Sequence, residues 1–122
     1  MKDTFLNKFI TLQEQFRILH WQTKSYARHN AFGGIYSDLD ELIDEFMEVY
    51  MGKYGRVEFE GDGTIVLQNS NSLDLNGFVK ENIEYLKSLS NDLNPSNDSD
   101  LLNIRDEMMA KINKLRYLLT LK

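Results

Sequence analysis

The chain has 122 residues, with 14 Lys and Arg against 19 Asp and Glu, a net charge of −5, and 42% hydrophobic residues. That length suits one domain over residues 1–122 with a single core, and the acidic balance argues against nucleic acid as a partner. No apolar run reaches the ~18 residues of a membrane span, and no basic-then-apolar leader opens the chain. Zero Cys excludes disulfides, thiolate metal sites and thiol nucleophiles, and it fits a reducing, cytoplasmic setting.

The periodicity is helical. Phe5, Phe9, Leu12, Phe16 and Leu19 recur in steps of three and four, predicting an amphipathic helix from about Asp3 to about Thr23. Tyr36, Leu39, Ile43, Phe46, Met47 and Tyr50 repeat the pattern in a second helix that ends near Gly52 and Gly55. Between the two, the residues permit either a tight turn capped at Thr23 or Ser25, or one continuous helix. Gly33 and Gly34 offer a further break. Next, Val57 and Phe59 alternate with charges, Gly61-Asp62-Gly63 intervenes, and Thr64-Ile65-Val66-Leu67 completes a short β-hairpin signal. Asp74 is placed to cap a third helix carrying Leu75, Phe78, Val79, Ile83, Leu86 and Leu89. The run from Asn94 through Pro95 to Ser99 is a stop and restart. The fourth helix carries Leu101, Ile104, Met108, Ile112, Leu115 and Leu119. Four one-faced helices bury those faces against each other. Short first and third links with a long second one predict an all-α, ferritin-like four-helix bundle, its crossover between helices two and three carrying the hairpin.

Only two His occur, His20 and His29, and both lie near the first helix junction. A turn there brings the imidazoles together; a continuous helix sets them on opposite faces. Acidic residues crowd helix two: Asp38, Asp40, Glu41, Asp44, Glu45 and Glu48. The ordinary reading of such a run is a solvated face, but Asp44 and Glu48 stand one turn apart, a spacing suited to one cation. Phosphate-loop, dinucleotide and Gly-x-Ser-x-Gly motifs are absent from the sequence. Gly61-Asp62-Gly63 reads as a turn, and Asp98 with Asp100 does not follow the EF-hand pattern.

His20-Trp21, then His29, then Asp44 and Glu48 resemble the iron-site signature of the Dps-like mini-ferritins. The match covers about residues 16–55 by motif and the remainder by helix count. The resemblance implies that His20, His29, Asp44 and Glu48 hold and oxidise Fe(II), with Zn or Mn as alternative metals and Trp21 as a cofactor contact. It also implies a homo-oligomer, a dimer at least and a shell in the family. Gly33 stands where the family often has a further carboxylate, which leaves ferroxidase activity open. The stretch from His20 to Gly55 is also similar to short proteins of tailed phages, which would place the protein in host cytoplasm.

A ruler along the helix adds a constraint of its own. At 1.5 Å per residue, Asp44 and Glu48 lie roughly 22–28 Å from His29, so one chain cannot bring all four to one ion. Two chains related by a two-fold axis can. The rival reading is a non-enzymatic viral or bacterial bundle that binds a partner protein or a small anionic molecule. In it, His20, Trp21, Arg28 and His29 line one pocket.

Overall fold

The computed structural model describes residues 2–122, with side chains from Phe5 onward. Four helices make up the fold: α1 (Lys2–Gln22), α2 (Tyr26–Tyr54), α3 (Leu75–Ser88), extended by a 3₁₀ turn over Leu89–Asn91, and α4 (Ser99–Leu118). The turn wins over the continuous helix. Ser25 caps α2, its hydroxyl accepting the Arg28 N–H at 3.2 Å, and α2 ends at Gly55, whose φ of 91° suits glycine. None of the helices is long and apolar enough, among the described residues, to cross a membrane.

Aromatic contacts set the helix directions. Phe5 and Phe9 of α1 meet Phe46 of α2 edge to face, with ring centroids 5.6 and 5.2 Å apart, and Phe5 meets Tyr50 at 4.8 Å. The start of α1 therefore packs on the end of α2, antiparallel. Phe16 meets Phe78 at 5.5 Å, and Phe9 lies 6.2 Å from Tyr85, so α3 is antiparallel to α1 and parallel to α2. Helix α4 runs back beside α2, tied by Lys111 to Asp38 at 3.8 Å and by Lys53 to Asp100 at 2.8 Å. Phe5, Phe16 and Phe46 are fully buried, each worth about 1.5–3 kcal/mol of transfer from water.

Because α2 and α3 are parallel, residues 55–74 must return along the whole bundle. They carry no strand, which corrects the expected β-hairpin. The extended backbone finds its partners on α1 instead. Asn7 donates to the Thr64 carbonyl at 2.6 Å. Gln15, only 2% exposed, donates to the Gln68 carbonyl at 2.8 Å and accepts the Gln68 N–H at 2.9 Å. Gln22 accepts the Ser70 N–H at 2.7 Å. From Asn7 to Gln22 the helix rises about 22 Å, and an extended chain from Thr64 to Ser70 spans roughly 20 Å, so the two run in step. The glycine turn folds around a side chain rather than joining strands: a Cβ on Gly63 would sit 2.3 Å from the Phe59 ring.

The far end of α2 is held by Asp98, 3% exposed. Its carboxylate accepts from the Tyr54 hydroxyl and from the Asn94 N–H at 2.8 Å, with Lys53 at 3.3 Å. The Tyr54 hydrogen bond, then the Asn94 amide, holds this carboxyl below its ordinary 3.8. Burial, then the Asp98 and Asp92 charges, pushes Tyr50 above 10.0, and the bond to Asp98 does the same for Tyr54.

Two outcomes follow from these contacts. Gln15→Leu strips both partners from Gln68; water recovers part of the loss, so stability falls by about 1 kcal/mol in urea unfolding. Exchange of the Gln68 amide accelerates at the same time, and unchanged exchange there would show that the crossover is held by something else. The second outcome concerns pH. The Asp98 contribution is present above 3.8 and is lost as pH falls through its lower folded value. The tyrosine contribution is present below 10.0 and is lost as pH rises through the raised values. Urea midpoints should fall at both extremes, and Asp98→Asn should lower the neutral plateau while flattening the acid limb.

Candidate functional site

The α1–α2 turn places its two imidazoles face to face, with ring centroids 3.9 Å apart and planes 17° from parallel. Each reaches the other residue's backbone: His20 Nδ1 lies 2.7 Å from the His29 carbonyl, and His29 Nδ1 lies 2.9 Å from the His20 carbonyl. A carbonyl oxygen can only accept, so both rings must carry the proton on Nδ1. His20 O belongs to the last turn of α1, where carbonyls lack helical partners, and His29 satisfies it. The clasp thus completes the helix end and leaves both Nε2 atoms without a hydrogen-bond partner among the described residues. This is the arrangement in which metal-binding imidazoles are commonly held, one nitrogen anchored to a carbonyl and the other available.

Gly33 is what lets the rings meet. A Cβ there would lie 2.8 Å from His20 Cε1 and 3.0 Å from Nδ1, inside any normal contact. In a helix interior glycine costs about 1 kcal/mol against alanine, and that cost was a signal the sequence offered. Tyr26, 80% exposed, extends the stack, with its ring 6.4 Å from that of His29. Neither Gly33 nor Tyr26 stood among the candidate site residues.

The carboxylates lie elsewhere. Asp44 and Glu48 are exposed on the face of α2 opposite its buried stripe of Leu39, Ile43, Phe46 and Tyr50, and among the described residues neither has an ion-pair or hydrogen-bond partner. Glu41 and Glu45 are exposed as well. Within one chain, no three His, Asp or Glu of the described residues come close enough to hold a metal ion. The structure therefore brings His20 to His29 and leaves Asp44 and Glu48 apart from them. Near-parallel ring planes have a further consequence: an ion lying in the plane of one ring is well outside the plane of the other, so one ion takes one nitrogen in this geometry.

Trp21 is 65% exposed on the outer side of α1. The Arg17 guanidinium lies 5.5 Å from its ring centroid and 4.5 Å from that of Tyr36. Arg28, grouped with His20, Trp21 and His29 in the small-anion reading, instead lines a cavity between α2, α3 and α4 that those three residues do not line.

Residues 20–119 match the model of a family of unknown function, DUF5856, and the chain belongs to that family. No ferritin or mini-ferritin family matches. A protein of Enterobacteria phage T4, "Uncharacterized 14.6 kDa protein in mobD-ri intergenic region", is 46% identical over 54 residues. That stretch spans 44% of this chain and 42% of the phage protein, so the similarity covers less than half the length of either. No solved structure matches the chain.

A matched pair of substitutions tests the clasp. Gly34→Ala meets nothing within 4 Å and should stabilise the helix by about 0.5–1 kcal/mol. Gly33→Ala should lose that gain to the displaced His20 ring, and the Nδ1 proton resonances should lose their hydrogen-bonded shifts. Equal stabilisation by both would mean that the rings do not lean on Gly33.

Proposed function

We propose that this member of the DUF5856 family binds divalent metal, Fe²⁺ first and Zn²⁺ or Mn²⁺ as alternatives, between two copies of a ferritin-like bundle of the mini-ferritin kind. The observation that carries the reading is the clasp: both imidazoles are anchored through Nδ1 and keep an Nε2 with no hydrogen-bond partner among the described residues, near the exposed Trp21 and Tyr26. The connectivity supports it as well, since a long crossover joining parallel second and third helices is the ferritin-like arrangement. The unpartnered Asp44 and Glu48 supply oxygen ligands on the same helix, roughly 22–28 Å along it from His29. A two-fold axis that lays α2 antiparallel on a second copy carries those carboxylates toward the partner's imidazoles, and it buries aromatic rings of the kind that favour interfaces.

Each imidazole then serves one ion, with the partner's carboxylates completing the sphere. Iron would be cargo or substrate here, giving electrons to peroxide or dioxygen. Oxidation of that kind uses paired ions, and Gly33 leaves the second position without a carboxylate of its own. The protein residues bind, orient and neutralise.

Anaerobic Fe²⁺ titration by calorimetry, with native mass for the oligomer, tests it. His20→Ala, His29→Ala, Asp44→Asn and Glu48→Gln should each weaken binding roughly tenfold or more. Glu84→Gln removes the same charge from α3, away from α2, and should not. Mixing His20→Ala/His29→Ala chains with Asp44→Asn/Glu48→Gln chains should restore sites in the heterodimer. A strict monomer at high micromolar concentration, with and without iron, would sink the shared site, as would equal weakening by Glu84→Gln.

A further inference from the structure

At the end of the bundle opposite Asp98, a cavity of about 300 Å³ opens between the starts of α2 and α3 and the end of α4. Its floor is apolar, formed by Leu75, Val79 and Leu119, and Arg28 and Arg116 line it from opposite helices. Neither guanidinium is neutralised. Among the described residues Arg28 has no side-chain partner, and Arg116 has only the Asn113 amide oxygen, at 3.3 Å. Lys24, Arg56, Lys80 and Lys114 lack a carboxylate partner too; these two arginines differ in lining one cavity, and each has its own reason to be there.

Arg116 has an ordinary one: it lies in the last turn of α4, where a cation suits the helix dipole. Arg28 has the opposite setting. It lies in the first turn of α2, where the dipole disfavours positive charge, and that turn carries no acidic residue. The first turn of α3 has none either, and its cap, Asp74, is committed to the Gly77 amide at 3.2 Å. Two guanidiniums and the N-terminal ends of α2 and α3 therefore face a hollow whose base is aliphatic, against the Asp74 carboxylate and the C-terminal end of α4. Asn76 and Thr120 add neutral hydrogen-bonding groups at the same lining.

We propose that this cavity binds a small phosphate monoester with an apolar body. Two guanidiniums match the charge of a phosphate monoester near neutral pH, and their forked donors suit its oxygens, whereas a single carboxylate would leave one arginine in excess. Leu75, Val79 and Leu119 receive the body. The volume lies at the lower end of the range for small-molecule sites, which sets the size to a ring or a short chain. This site is separate from the proposed metal site and does not depend on it.

Phenyl phosphate titrated into the full chain, followed by calorimetry and by amide shifts, provides the test. Saturable binding of one molecule per chain is expected, with shifts centred on Leu75, Asn76, Val79 and Leu119. Arg28→Gln and Arg116→Gln should each weaken it roughly tenfold or more, and both exposed substitutions should leave thermal unfolding unchanged. Inorganic phosphate, lacking the apolar body, should bind at least about tenfold more weakly, and benzoate and phenol more weakly still. Lys87→Gln, at the far end of α3, and His20→Ala should bind phenyl phosphate as the parent chain does. The proposal is overturned by absent saturation at millimolar ligand, by unaltered affinity in both arginine variants, or by inorganic phosphate or benzoate binding as tightly. Equal loss in Lys87→Gln would overturn it too, because bulk charge would then account for the effect.

Discussion

The reciprocal bond between His20 and His29 is the contact on which the organisation of this end of the molecule depends. Each ring satisfies a backbone carbonyl of the other's segment, so the end of α1 and the start of α2 are stitched together through side chains. The stitch fixes the antiparallel pairing of the two helices at the turn, just as the Phe5, Phe9, Phe46 and Tyr50 cluster fixes it at the opposite end. It also settles the tautomer of both imidazoles, which decides what chemistry is left to them. The accommodating residue, Gly33, gives up helix propensity to admit the His20 ring. Structure and candidate chemistry are therefore supplied by the same pair of residues.

A second constraint is topological. Parallel α2 and α3 demand a connection as long as the bundle, and a lone extended segment on a helical surface has no neighbouring strand to bond its amides. Asn7, Gln15 and Gln22 provide the substitute, a row of side-chain amides along α1 that bond the passing backbone as a neighbouring strand would. Gln15 tolerates burial because both halves of its amide are used. The charge distribution follows the same axis. Unpaired carboxylates collect along the outward face of α2, whereas Arg28 and Arg116 line one cavity at the end where α2 and α3 begin. A molecule with a net charge of −5 thus keeps a local cationic hollow.

Apolar spacing alone determined the order and faces of the helical stretches, because a side chain every three or four residues can be buried on one helix only along one stripe. The cap at Asp74 and the glycine end at Gly55 were equally legible, since they act within a few residues of themselves. The separation of Asp44 and Glu48 from the imidazoles was legible too, because helix rise is a fixed length. Alternation at Val57–Leu67 was not decisive. It reports that successive side chains face opposite ways, and leaves open whether the backbone pairs with a strand or with Gln15, 53 residues away. The turn between α1 and α2 was likewise undecidable locally. Its competitor, a continuous helix, has similar propensity, and the choice came from burying Phe5, Phe16, Phe32 and Phe46 in one core. Only the tertiary structure brought Arg28 and Arg116 to one cavity, because residues so far apart in sequence share no local energy and come together only when three helix ends converge.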